Sequence, residues 1–353
     1  MSRLYKRQLT KLFYFLLICG CIYIILKFLL IITREEKEEI SNFKNLQQSI
    51  NQVEEINNQR IATVKKTCEK YNLGFYKKAE NPSKFKHPPA PQYTVFYIDR
   101  SHNISYCPIY KSGSTTWIYN LCLLMNVSDE KLSNGKEQIS SIARRVIPEL
   151  EYPEAEEALR KTAKLLVVRH PFERLLSAYR DKLENSVAGR EHGTLHFYEK
   201  YGKIIVQKYR DKNLHPIQAN QVIRKKDTPA PAGIEPTWRE FIDYLINTDL
   251  GSYADDHWMP YYLYCTPCLL NYDFIAKVET LWNDQLFTIY KLKLDEKIKP
   301  HWRHSNGQTN ASKIYFSQLN KDMVYKLYKK FQLDFELFDY SPDEYFNYAT
   351  SQF

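Results

Sequence analysis

Hydrophobic positions divide the chain into three zones. From Leu12 to Ile32 they run almost unbroken for 21 residues, with Lys27 the one charge. About 20 apolar residues carry a helix across a bilayer, and a lysine near the end of such a run can reach the headgroups. Arg3, Lys6, Arg7 and Lys11 precede the run with no acid among them, and Glu35, Glu36, Glu38 and Glu39 follow it. The positive-inside bias therefore puts residues 1–11 in the cytosol and the bulk of the chain in the lumen. The run is too long for the roughly 7–15-residue core of a signal peptide, and no small-residue cleavage site follows, so it reads as an uncleaved signal-anchor over 12–32. In the second zone Ile40, Phe43, Ile50, Val53 and Ile56 recur at roughly helical spacing in a polar stretch. That pattern suits a lumenal stem able to self-associate, or equally a solvated spacer. Four prolines between Asn81 and Pro91 then break any helix. The expected division is a stem and linker over 33–91 and a folded domain over 92–353.

In the third zone the period alternates between that of strands and that of helices. Residues 93–98 and 104–109 are rich in aromatic and β-branched types and predict strands. Residues 164–168 form a short, wholly apolar run of the kind buried on both faces of a parallel sheet. Helices are predicted over 115–125, 171–185, 237–245, 278–292 and 321–331. The 171–185 helix has proline in its first turn and Phe172, Leu175, Leu176, Tyr179 and Leu183 on one face. Strands alternating with helices make this an α/β domain around a parallel sheet, without internal repeats.

Composition adds less. The 353 residues are 26% charged and 44% hydrophobic, as in a folded protein. Five of the nine net positive charges lie before residue 33, so the remainder mildly favours polyanionic partners and does not call for nucleic acid. The aromatic share, 14% with 28 tyrosines, suits either sugar stacking or a core. Beyond Cys19 and Cys21 of the apolar run stand Cys68, Cys107, Cys122, Cys265 and Cys268, an odd number that leaves one unpaired or intermolecular. Cys265-x-x-Cys268 has the spacing of zinc or thioredoxin-like sites. With no second pair nearby and an oxidising lumen, a structural disulfide role is expected, with the pairing open. Asn103, Asn126 and Asn310 head N-glycosylation sequons.

Two stretches carry chemistry. Cys107 to Trp117 reads CPIYKSGSTTW: strand, small-residue loop with one lysine, then helix. Small residues let backbone N–H groups approach an anion and a helix start adds its positive dipole end, although the same pattern also makes an ordinary helix cap. Lys111 supplies charge and Ser114, Thr115 and Thr116 supply hydroxyls; the spacing is not that of a Walker A loop. Leu165 to Glu184 reads LLVVRHPFERLLSAYRDKLE. Here Arg169 leaves the end of a buried strand, where ligands of open parallel sheets bind, and Ser177 lies two turns into the next helix. Arg174 and Arg180, with Asp181 and Glu184, are expected on a solvated face.

These stretches resemble the 5′-phosphosulfate and 3′-phosphate loops of the Golgi carbohydrate sulfotransferases, and VRHPFERLLSAYRDKLEN is closest to the chondroitin/dermatan 4-O-sulfotransferase branch, which also includes a glucuronyl 3-O-sulfotransferase. The likeness continues in order through Tyr198–Gly202, Pro236–Phe241, His257-Trp258, Cys265–Cys268, Tyr272–Thr280 and Phe335–Tyr340. Tyr110 departs from it, standing where that branch has proline. The resemblance implies a three-layer, P-loop-like sulfotransferase fold in the Golgi membrane, using PAPS (3′-phosphoadenylyl sulfate) as sulfuryl donor without a metal. Lys111, Ser112, Gly113, Ser114, Thr115 and Thr116 would hold the 5′-phosphosulfate, and Arg169 and Ser177 the 3′-phosphate. Lys111 would stabilise the leaving phosphate oxygen. The base expected is His257, flanked by Asp255, Asp256 and Trp258; a structural role is the alternative, and His170, His301 and His304 are weaker candidates. Lys208, Arg210, Lys212, Arg224, Lys225 and Lys226 would guide an anionic glycan or merely be solvated. The implied acceptor is the 4-hydroxyl of N-acetylgalactosamine in chondroitin or dermatan. The rivals are another glycan hydroxyl, such as glucuronate O3, and an inactive membrane-anchored glycan-binding protein.

Overall fold

The structure, a computed structural model, describes Lys27 and residues 44–78, 83–188, 194–211, 232–301 and 310–351. The apolar 12–32 segment lies outside the described residues apart from Lys27, which is helical, and no described helix is long and apolar enough to cross a membrane. The chain forms two units, 1–54 and 55–353. In the first, residues 44–54 are helical.

The second unit is mixed α/β. Its four-stranded sheet has the order β1 (Tyr97–Asp99), β2 (Ile104–Cys107), β3 (Ala163–Val168), β4 (Phe274–Lys277). The parallel sheet expected from the apolar run is present in β2, β3 and β4, with Cys107 opposite Leu166 and Val168 opposite Lys277. β1 departs from it by pairing antiparallel to β2. Leu165 to Val168 are all buried, as a run covered on both sheet faces requires. The strand predicted over 93–98 is shorter and shifted. Tyr93–Val95 form a 3-10 turn, and the Arg144 guanidinium takes the carbonyls of Thr94, Val95 and Phe96 at 3.0, 2.9 and 2.8 Å, satisfying them outside the sheet.

Helices fall near their predicted places with ends reset by contacts. Ser114–Leu124 follows β2 and Pro171–Lys182 follows β3. Trp238–Asn247 opens on a capping box between Thr237 and Glu240. A 3-10 turn, Val278–Thr280, leads into Leu281–Lys291. The helix predicted over 321–331 runs on to Leu337, because its polar Asp334 and Glu336 find partners. Asp334 accepts the backbone N–H groups of Tyr261 and Tyr262 at 2.7 and 3.1 Å, and Glu336 accepts from Lys70 and Tyr71. Short helices such as Glu154–Lys161 and Tyr261–Tyr264 carry too few turns to show a period and were not predicted.

Among the described residues, two aromatic-rich cores hold the elements. One packs Phe172, Leu175 and Tyr179 against Trp238, Phe241, Trp258 and Phe316; the other packs Leu166, Val168 and Ile275 against Tyr261, Leu333 and Leu337. Residues 55–78, which fall in the expected stem, are stitched to the sheet. Asn57 exchanges hydrogen bonds with Asp273 and Ile275 of the β4 edge, and Arg60 bonds the Ile275 carbonyl and Asp284, each at 2.8 Å. Cys68 is bridged to Cys268 and Cys107 to Cys265, leaving Cys122 free and buried. Neither half of the Cys-x-x-Cys pair bonds the other; both serve as structural bridges.

Candidate active site

β2 and β3 are adjacent and parallel, so the segments that leave their carboxyl ends emerge side by side on one edge. From β2 the chain passes Cys107, fixed by its disulfide, and turns through Lys111 and Gly113, both left-handed at φ 68° and 72°. Glycine suits position 113 because it takes that φ without strain and because a Cβ there would press on Leu281 Cδ2 at 3.3 Å. It is the N-cap of the Ser114–Leu124 helix, and no side chain caps that start. First-turn N–H groups therefore face the loop, the arrangement that receives anions. Ser112, Ser114 and Thr116 are buried there, and Thr115 is half-buried.

From β3 the chain passes Arg169 into the Pro171–Lys182 helix. The two loops touch: Arg169 Nη1 donates to the Lys111 carbonyl at 3.4 Å. Glu173, Ser177 and Asp181 lie four residues apart on one helix face, and both cations turn to it. Arg169 pairs with Glu173 at 3.4 Å, and Lys111 Nζ pairs with Asp181 at 3.1 Å. Lys182 Nζ shares the same Asp181 oxygen at 3.2 Å. Half-buried Ser177 sits between the two carboxylates. Burial pushes the Lys111 ammonium below the ordinary lysine pKa, against the pull of Asp181, so it is a charge poorly solvated in this state and suited to an incoming anion.

His257 stands beside the lysines. Its ring stacks on Tyr110 at 4.7 Å and meets Phe197 edge-on at 5.2 Å. Nδ1–H donates to Asp255 at 2.6 Å, and Asp255 also accepts from Tyr201. This fixes the tautomer and leaves Nε2 without a hydrogen-bond partner among the described residues. Burial holds His257 below the ordinary histidine pKa; Asp255 opposes that, and Lys182 and Lys111 add to it. A neutral imidazole with an oriented, unengaged nitrogen can accept a proton.

The other histidines are placed differently. His170 is packed among Phe172, Phe335, Tyr340 and Tyr345, with Nε2 on the Ser341 carbonyl. The His301 ring lies against Tyr119, and His304 is outside the described residues. In the basic run, Arg210 is committed to Glu240 and to the carbonyls of Gly233 and Glu235. Lys208 lies over the Tyr209 ring, and Lys212, Arg224, Lys225 and Lys226 are outside the described residues.

Arg174 corrects the expectation of a solvated face. It is 1% exposed and donates to the carbonyls of Tyr110, Met259 and Asp256 at 3.0, 2.6 and 2.9 Å. Three carbonyls turned inward at one point outweigh the cost of burying one guanidinium. Arg180 pairs with Glu184 at 3.7 Å over the Tyr315 ring. Sequence reasoning also missed Glu279, which accepts the His170 N–H at 2.9 Å and so fixes the second loop; one acid among many gave no sign of it.

An uncapped helix start, a desolvated lysine and an arginine from the neighbouring strand meet at one sheet edge of this α/β protein. The family model described as "Sulfotransferase family" matches residues 94–341, and the chain belongs to that family. Carbohydrate sulfotransferase 9 of Homo sapiens is 28% identical over 258 residues, covering 69% of this chain and 53% of that protein. Carbohydrate sulfotransferase 11 of Mus musculus is 29% identical over 255 residues (70% and 67%), and carbohydrate sulfotransferase 8 of Mus musculus is 26% identical over 291 (80% and 63%). The chain thus spans about half the length of the human relative. No solved structure matches it.

Proposed function

We propose that this protein transfers the sulfuryl group of PAPS to a sugar hydroxyl, with the 4-hydroxyl of N-acetylgalactosamine in chondroitin or dermatan as acceptor. The observation that carries the reading is the meeting of Lys111 and Arg169 at the ends of adjacent parallel strands. A nucleotide with an anionic group at each end would meet one cation from each loop. The first loop, Lys111 to Thr116, takes the 5′-phosphosulfate; Arg169 and Ser177 take the 3′-phosphate. The acceptor oxygen attacks sulfur as the bond from sulfur to the 5′-phosphate oxygen breaks, and that oxygen keeps the electron pair. Lys111 stabilises the growing charge more in the transition state than before it, and the hydroxyl proton passes to His257 Nε2. The names of the relatives support a carbohydrate acceptor.

The apolar 12–32 segment supports a single-pass Golgi enzyme with its domain in the lumen. Asn103, Asn126 and Asn310 are all exposed, consistent with N-glycans at each. The test uses the full chain in detergent with sulfur-labelled PAPS and desulfated chondroitin, followed by disaccharide analysis. Label at the 4-position of N-acetylgalactosamine is expected. Label on glucuronate O3 or another hydroxyl would move the acceptor assignment, and no transfer to any glycan would end the enzymatic reading.

A further inference from the structure

The two loops do more than touch; one buried side chain joins them. The Tyr261 hydroxyl donates to the Arg169 carbonyl at 2.6 Å and accepts the Arg169 N–H at 3.3 Å, closing on both backbone groups of that residue. From the other side Ser112 Oγ of the first loop lies 3.4 Å away. The ring, fully buried, carries the Arg174 guanidinium 4.8 Å from its centre, and Arg174 Nε holds the Tyr110 carbonyl one residue before Lys111. Both ends of the short Tyr261–Tyr264 helix are fixed in turn. Buried Asp334 accepts its first two N–H groups, and the next residue, Cys265, is bridged to Cys107 at the head of the first loop. The helix is therefore a bracket with the disulfide on one side and the tyrosine hydroxyl on the other.

We propose that Tyr261 is a positioning residue that sets the separation of the two anion-binding loops and so selects nucleotides anionic at both ends over those anionic at one. The inference rests on the donor reading above. A nucleotide spanning both loops needs Lys111 and Arg169 at one fixed distance, and the cost of finding that distance falls on binding when the loops are free to shift. A nucleotide held by one loop meets no such requirement.

Tyr261→Phe keeps the ring, the Arg174 stack and the backbone caps, and removes only the hydroxyl. Calorimetry on the full chain in detergent would compare adenosine 3′,5′-bisphosphate with adenosine 5′-monophosphate. The bisphosphate should bind about tenfold more weakly to the variant while the monophosphate changes less than twofold, as for the loss of one buried hydrogen-bonded hydroxyl. Asp334→Asn, which loosens the far anchor of the same helix and touches neither loop, should show the same selective loss at smaller size and serves if the first variant does not fold. Equal weakening of both nucleotides, or of neither, would overturn the proposal. If the unmodified protein binds neither nucleotide, the donor reading fails instead. Amide exchange then decides the bracket: the Arg169 N–H should exchange at least tenfold faster in Tyr261→Phe with β3 unchanged, and an unchanged rate would refute it.

Discussion

In the proposed donor site the first loop works through its backbone, and the second works through its side chains. Around Lys111 and Gly113 two left-handed residues turn the chain so that an uncapped helix start faces inward, and the small residues Ser112, Ser114 and Thr116 are buried where they leave room. Around Arg169 the backbone is an ordinary strand end followed by a helix, and selectivity resides in which side chains line one helix face. A backbone site is unforgiving of shape and tolerant of side-chain type; a side-chain site is the reverse. The second loop also supplies the counter-ions of both, since Glu173 holds Arg169 and Asp181 holds Lys111. Each donor-facing cation is thus already paired with a carboxylate, which a donor must displace as well as water.

Substitutions should separate the two loops. The largest effect is expected for Lys111→Ala, which removes the charge from the leaving oxygen and should cost about 10²–10³-fold in kcat while the KM for acceptor stays near its original value. Steady-state rates with saturating PAPS measure it. A loss confined to KM would return Lys111 to simple binding.

His257→Ala should lower kcat by about 10²-fold and flatten the pH profile. The sign follows from the two lowered pKa values. His257 acts when neutral, so activity should rise with pH through a midpoint below the ordinary 6.5. Lys111 acts when charged, so activity should fall again at a pH below the ordinary 10.5. An acid limb at or above 6.5 would point to another base.

Arg174→Met should leave three buried carbonyls without a donor and cost about 3 kcal/mol or more of stability, read as a lowered denaturation midpoint at unchanged slope. A shift under about 0.5 kcal/mol would mean that water replaces the guanidinium. The smallest effect is expected for Asp181→Asn. Asp181, the partner of Lys111, is nearly half open to solvent, and pairs screened on one side contribute about 0.2–1 kcal/mol, so bisphosphate affinity should rise no more than about fivefold. A fall would make Asp181 a ligand rather than a competitor.

The same comparison explains what the sequence made legible. Alternation of strand and helix gave the parallel sheet, and the run around Lys111 gave its loop, because both depend on patterns local in the chain. Arg174 was misjudged because its carbonyl partners, Met259 and Asp256, lie over 80 residues away. Tyr261, one of many tyrosines, has its meaning only through Arg169, Ser112 and Asp334, which meet in space alone. The β1 shift had a similar source in Arg144, which draws carbonyls out of the sheet from about 50 residues downstream.

The central claim is that one nucleotide spans both loops, and titration of adenosine 3′,5′-bisphosphate into Lys111→Ala, Arg169→Ala and the double variant tests it most directly. Each single change should weaken binding at least tenfold, and the double variant should lose less than the product of the two, because a ligand released at one end gains little from the other. Full affinity retained by either single variant would contradict the account.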